Sequence, residues 1–216
     1  LTSSGTSAME AAIVNTLSPG DKVLNVSIGS FGDRFGQIAG IYGADVTKLD
    51  FPWGSAVDID ALRDALKADP GIGTVMVTHN ETSTGVTSDI AAIRKAMDNA
   101  GGKSGHPALL LVDTISSLAS IDYRHDEWGV DVTVAGSQKG LMLPPGLSFV
   151  AAGERAWAAH PAAGLRTRYW DWTARHGELH PEKYCGTPPE HLLYGLRCSL
   201  DILLQEGLEN VIQRHR

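Results

Sequence analysis

Three short stretches hold residues whose types and spacing could do chemistry together. Ser4-Gly5-Thr6-Ser7 stands directly before an Ala-rich run. Where a helix begins, free backbone N–H groups and the helix dipole favour an anion, and small hydroxyl side chains add donors. The same residue types also serve as plain N-caps. Neither the Gly-Lys-Ser/Thr of a P-loop nor Gly-x-Gly-x-x-Gly occurs at this point. Asp113 ends the unbroken apolar run Leu109-Leu110-Leu111-Val112, a place where a carboxylate meets a ligand or caps the following segment. Lys139 comes 26 residues later, in Gly136-Ser137-Gln138-Lys139-Gly140. A lysine just past a strand is commonly a solvated surface residue. Partly buried, its amine has a lowered pKa and acts as a nucleophile.

The elements that must position these groups alternate in type. Strands are expected at 22–27, 45–51, 74–78, 108–112, 131–135 and 147–151, from short runs rich in β-branched and other apolar residues. The 108–112 run is apolar throughout, as a strand buried on both faces requires. Helices are expected at 8–17, 31–42, 58–68 and 89–100, the last stopped by Gly101-Gly102. The stretch 201–216 reads as a further helix with Gly207 inside it. Repeated β-then-α units give a mostly parallel sheet with helices on both faces, a three-layer α/β/α fold. Ligands of such sheets sit at the carboxyl ends of the strands. There the polar residues cluster: Thr78-His79-Asn80-Glu81, Asp113-Thr114 and Gly136-Ser137-Gln138-Lys139.

An anion site at a helix start, an acid ending a buried strand and a lysine after a later strand together suit pyridoxal 5'-phosphate. Its phosphate needs the first, its ring nitrogen the second, and its aldehyde the third, as a Schiff base. The chain also resembles the fold-type I, class V aminotransferases, most closely the serine–glyoxylate and alanine–glyoxylate aminotransferases. The resemblance runs through Ser3-Ser4-Gly5-Thr6, the 79–86 stretch His-Asn-Glu-Thr-Ser-Thr-Gly-Val, the 111–118 stretch Leu-Val-Asp-Thr-Ile-Ser-Ser-Leu, Gly136 to Leu141, and Leu143-Pro144-Pro145-Gly146. Tyr169-Trp170-Asp171-Trp172 and Leu192 to Arg197 extend it, so that it covers nearly the whole chain.

What this resemblance implies is specific. Lys139 would be the Schiff-base lysine and proton shuttle, and Asp113 the partner of the pyridinium nitrogen. Ser4, Gly5, Thr6 and Gln138 would hold the phosphate. Phe31 would stack on the ring, although its spacing equally suits a core residue opening its helix. Ile115 would pack on the opposite face, and Thr82 would contact the ring hydroxyl. Tyr184 and Thr187 would reach the phosphate of a neighbouring subunit in a homodimer. Residues 1–190 would form the cofactor-binding large domain, incomplete at its start. Residues 191–216 would be a long helix leading to an absent small domain, which carries the arginine for the substrate carboxylate. The reaction implied is transfer of an amino group from serine or alanine to glyoxylate, giving glycine and a 2-oxo acid. The competing readings are a cysteine desulfurase-like enzyme and a catalytically incomplete cofactor-binding fragment. Desulfurases place His before the lysine, where this chain has Gln138, and neither Cys185 nor Cys198 has a comparable setting.

Composition narrows the remaining choices. The 216 residues are 43% hydrophobic and 20% charged, with a net charge of −7. That balance, without a basic run, speaks against nucleic acid or an anionic membrane surface as partner. No apolar run approaches the roughly 20 residues of a membrane span. Two cysteines are too few for a disulfide framework, and the eight histidines show no ligand spacing. His79 is therefore expected to make a structural hydrogen bond, and no metal site is expected. A cytoplasmic setting, or a peroxisomal one in a eukaryote, is the expectation. The start at Leu1 and the uncapped final segment read as a chain lacking both ends.

Overall fold

A computed structural model describes residues 3–179, 183 and 186–216. In chain order the elements are α1 (Gly5–Thr16), β1 (Lys22–Ser27), α2 (Ser30–Ile41), β2 (Asp45–Asp50), α3 (Ile59–Ala68), β3 (Thr74–Thr78), β4 (Asn80–Glu81), β5 (Val86–Thr87), α4 (Ile90–Ala100), β6 (Leu109–Asp113), β7 (Val132–Gly136), β8 (Ser148–Ala152), α5 (Glu154–Ala159), α6 (Trp172–Arg175), α7 (Glu190–Glu206) and α8 (Leu208–His215). Six strands form one sheet in the order β2-β1-β3-β6-β7-β8. All neighbours are parallel except β8, which runs antiparallel to β7.

Alternation along the central strands builds the two cores. Val75 and Val77 of β3, with Leu110 and Val112 of β6, face α3 and α4 through Leu62, Leu66, Ile90, Ile93 and Met97. Met76, Leu109 and Leu111 face the other way, onto Met9 and Ile13 of α1 and Phe35 and Ile38 of α2. Side chains of period two fill both faces, which is why these strands carry no polar alternation. The α3 and α4 helices start where Asp58 and Asp89 accept hydrogen bonds from backbone N–H groups of their first turns.

One local expectation is corrected. The 201–216 segment is not one helix: Gly207 has φ +83° and separates α7 from α8. That left-handed conformation suits glycine and ends the run of helical hydrogen bonds. The pair then folds over the loop after β7, with Leu203 and Val211 against Leu141 and Leu143. The hairpin β4–β5 and the short helices α5 and α6 carry too few residues for a periodic signal. Among the described residues, no helix is long and apolar enough to cross a membrane.

Candidate active site

The site is built at the carboxyl ends of β3, β6 and β7. Asp113 closes β6 in register with Thr78 on one side and Val134 on the other. It is 3% exposed. Its Oδ1 accepts a hydrogen bond from Ile115 N at 2.8 Å, so it also caps the turn that follows. Burial pushes its carboxyl up to about 7; the charge of Glu81 pushes the same way, and the Ile115 N–H pulls back. The turn itself is held by Thr114, whose N and Oγ1 both donate to Val134 O. His79 Nδ1 lies 2.9 Å from Ser117 Oγ, and the His79 ring packs against Tyr123 and Trp128. Burial lowers the imidazole to about 4, so it stays neutral. His79 therefore has the structural role expected of it.

Ile115 is the junction of the cluster. A Cβ on Gly5, the first residue of α1, would lie 2.5 Å from Ile115 Cδ1. A Cβ on Gly136, at the end of β7, would lie 3.5 Å from Ile115 Cγ2 and 3.0 Å from Gln138 Oε1. The start of α1, the turn after β6 and the end of β7 thus converge on one place. The plain-cap reading of Ser4 does not hold: it occupies the N-cap position, but its side chain makes no capping bond and is exposed. The first turn holds no acidic residue, and Thr6 is half-buried. Gln138 is half-buried, and its Oε1 has no hydrogen-bond partner among the described residues.

Lys139 takes the exposed of its two alternatives. It stands on a tight turn closed by Met142 N donating to Lys139 O at 2.9 Å, beyond the end of β7. Behind it Gly140 meets the turn after Asp113; a Cβ there would lie 2.1 Å from Leu118 O. Phe31 is the second residue of α2, half-buried and outside the apolar clusters, with Arg34 Cζ 4.8 Å from its ring centroid. It is not a core residue. Thr82 is exposed in the turn between β4 and β5. That hairpin is tied to the turn after Asp113, where Asn80 Nδ2 donates to Ser116 Oγ and Ser116 Oγ donates to Asn80 O. Thr187 is exposed ahead of α7, and no hydrogen bond joins it to this cluster among the described residues. Tyr184 and Cys185 lie outside the described residues.

Sequence reasoning placed Glu81 in a polar cluster but gave it no part. It is fully buried, and its carboxylate accepts from Phe31 N and Gly32 N through Oε2 and from Ser83 N and Oγ through Oε1. A glutamate directly after a strand's polar end was the available signal, but its partner Phe31 in α2 lies 50 residues away.

The donor set can be tested against a bound group. A carboxylate as deeply buried as Asp113 is costly to ionise without a cation beside it. A protonated heteroaromatic nitrogen would be such a cation. The uncapped α1 terminus, with Ser4 and Thr6 hydroxyls and no acid in its first turn, fits a phosphate. Phe31 offers an aromatic face. These residues fit a phosphorylated pyridine.

The mostly parallel α/β/α sheet is the fold of solved aminotransferases. The structure superimposes on alanine–glyoxylate aminotransferase from Nostoc sp. with a TM-score of 0.90 and 36% identity, covering 100% of this chain and 56% of that one. The chain belongs to the class-V aminotransferase family, whose pattern matches residues 1–216. It is 48% identical over 99% of its length to L-aspartate–glyoxylate aminotransferase of Paracoccus denitrificans, covering 53% of that protein. It is 46% identical over 98% of its length to serine–glyoxylate aminotransferase of Methylorubrum extorquens, covering 54% of that one. The chain spans about half the length of the curated relatives it matches.

Proposed function

We propose that this chain serves a cytoplasmic, homodimeric, pyridoxal-phosphate-dependent aminotransferase that moves an amino group from serine or alanine to glyoxylate. The observation that carries the reading is the convergence of Gly5, Asp113, Ile115 and Gly136 at the carboxyl ends of the central strands. Glyoxylate enters because all three relatives described above are named for it. When bound, pyridoxal phosphate supplies an aldehyde for amine exchange and a ring that withdraws electrons.

The chain's own residues then divide the work. Asp113 keeps the proton on the ring nitrogen; its carboxylate is dry, and Ile115 N–H fixes its orientation. Ser4, Gly5, Thr6 and Gln138 hold the phosphate. Phe31 and Ile115 confine the ring from opposite faces, and Thr82 hydrogen-bonds its hydroxyl. Lys139 Nζ would hold the aldehyde carbon and, once displaced by the donor amine, would take the proton from the donor α-carbon and pass it to the cofactor. Tyr184 and Thr187 would contact the phosphate of the neighbouring subunit.

The Paracoccus relative's name supports aspartate as a second donor reading. Desulfurase chemistry is not favoured. Gln138 precedes the lysine, and Cys198 is exposed on α7. The cysteine desulfurase from Thermococcus onnurineus shares 17% identity at a TM-score of 0.72, a likeness of fold alone. The test is glycine formation from glyoxylate with serine, alanine and aspartate offered in turn to the purified protein. Serine or alanine should give glycine, and Lys139→Ala should give none. Glycine from aspartate alone overturns the donor assignment. No glycine from any donor overturns the reading.

A further inference from the structure

We propose that Glu81 is a positioning residue whose single carboxylate couples the start of α2, which carries Phe31, to the turn that carries Thr82. The inference rests on the reading above, in which a cofactor ring lies against Phe31 and Thr82. Glu81 itself touches none of the reacting atoms in that mechanism.

The coupling is visible bond by bond. Oε2 accepts from Phe31 N at 3.0 Å and from Gly32 N at 3.1 Å. Oε1 accepts from Ser83 N at 3.0 Å and from Ser83 Oγ at 2.7 Å. Ser83 Oγ in turn accepts from Ser30 N at 3.1 Å. The first three N–H groups of α2 have no partner within the helix, and residues 81–83 satisfy all of them. The N-cap residue, Gly29, has no side chain with which to do so. A Cβ at Gly29 would sit 2.5 Å from both Glu81 Cγ and Ser83 Oγ, so the close approach depends on glycine there.

The carboxylate is fully buried, and among the described residues no salt bridge involves it. Its charge is met by the helix N-terminus and by four donors. The hairpin it belongs to has only two residue pairs, Asn80↔Thr87 and Glu81↔Val86. Such a ladder holds little by itself. The direct hydrogen bonds between the start of α2 and the turn of Thr82 all run through the Glu81 carboxylate and Ser83 Oγ, which the same carboxylate holds. Glutamine has one acceptor oxygen; its amide N–H would oppose a backbone N–H on one side.

The test uses backbone amide exchange without cofactor, then cofactor affinity. In Glu81→Ala the amides of Phe31, Gly32 and Ser83 should exchange at least tenfold faster together, while those of β6 and β7 keep their rates. Glu81→Gln, which retains one acceptor, should free only one of the two sets. This variant carries the test if the alanine variant does not fold. Pyridoxal phosphate titrated against Glu81→Ala, Phe31→Ala, Thr82→Ala and their combinations should show losses well short of multiplicative. A residue that merely stabilises the fold would give multiplicative losses. Unchanged amide rates, or multiplicative losses, overturn the proposal. If the parent protein binds no pyridoxal phosphate, the functional reading fails, while the amide rates still decide whether Glu81 couples the two segments.

Discussion

Replacing Asp113 by Asn tests the electrostatics at the centre of the site. The carboxyl is buried and pushed from 3.8 to about 7. Between those pH values the folded chain holds the proton and the unfolded chain does not, so Asp113 makes stability fall as pH rises. One pH unit is worth about 1.4 kcal/mol, so the loss is on the order of 4 kcal/mol once the pH exceeds 7. Asparagine keeps an oxygen for Ile115 N–H and has no charge to desolvate. Urea unfolding without cofactor, from pH 4 to 8.5, should show the variant gaining on the parent as pH rises, with the gap levelling above pH 7. An unpartnered amide N–H would offset the whole curve without changing its shape. Cofactor should narrow the gap. The parent carboxylate then meets a protonated ring nitrogen, and the variant loses a charged hydrogen bond of about 2 kcal/mol, or ~30-fold in affinity. A gap independent of pH would refute the desolvation argument. Equal affinity for pyridoxal phosphate would refute the pairing.

His79 gives the opposite slope. Its imidazole is lowered from 6.5 to about 4, so stability falls as pH drops through that window, by ~3 kcal/mol in all. His79→Gln should flatten this part of the unfolding profile; an unchanged profile would mean the ring is not buried neutral. Gly140→Ala drives a methyl against Leu118 O and should cost about 3 kcal/mol, read as a lower melting temperature without cofactor. Unchanged melting would contradict the packing of the lysine turn on the turn after β6. Thr187→Ala removes an exposed hydroxyl and should leave stability alone while weakening retention of pyridoxal phosphate in the dimer. Unchanged retention, measured by dialysis, would argue against a phosphate site shared between subunits.

Much of this arrangement is legible in the residues themselves. The Leu109 to Val112 run announces a strand buried on both faces, and β3 and β1 fall at the positions their composition predicts. Asp58 and Asp89 mark their helices because capping is a local hydrogen bond between near neighbours. Asp113 and Lys139 stand out by position: one closes a strand and the other follows one, and strand ends are where such sheets bind ligands.

Other features depend on partners distant in sequence. Ser4 looks like a cap and does not cap, because its side chain turns to solvent rather than to its own helix. Phe31 has the spacing of a core residue, yet α2 meets the sheet through Phe35, Ile38 and Ala39 and leaves it outside. Gly207 sits within an apolar pattern that continues on both sides, and only packing on Leu141 and Leu143 shows that the helix breaks there. The sequence determined the strands, their order of appearance and the types of group at their ends, since those follow from local periodicity and hydrogen bonding. Which of those groups meet, and that Glu81 caps a helix formed 50 residues earlier, was decided by the tertiary fold, because desolvation and long-range hydrogen bonds exist only once the chain has closed around them.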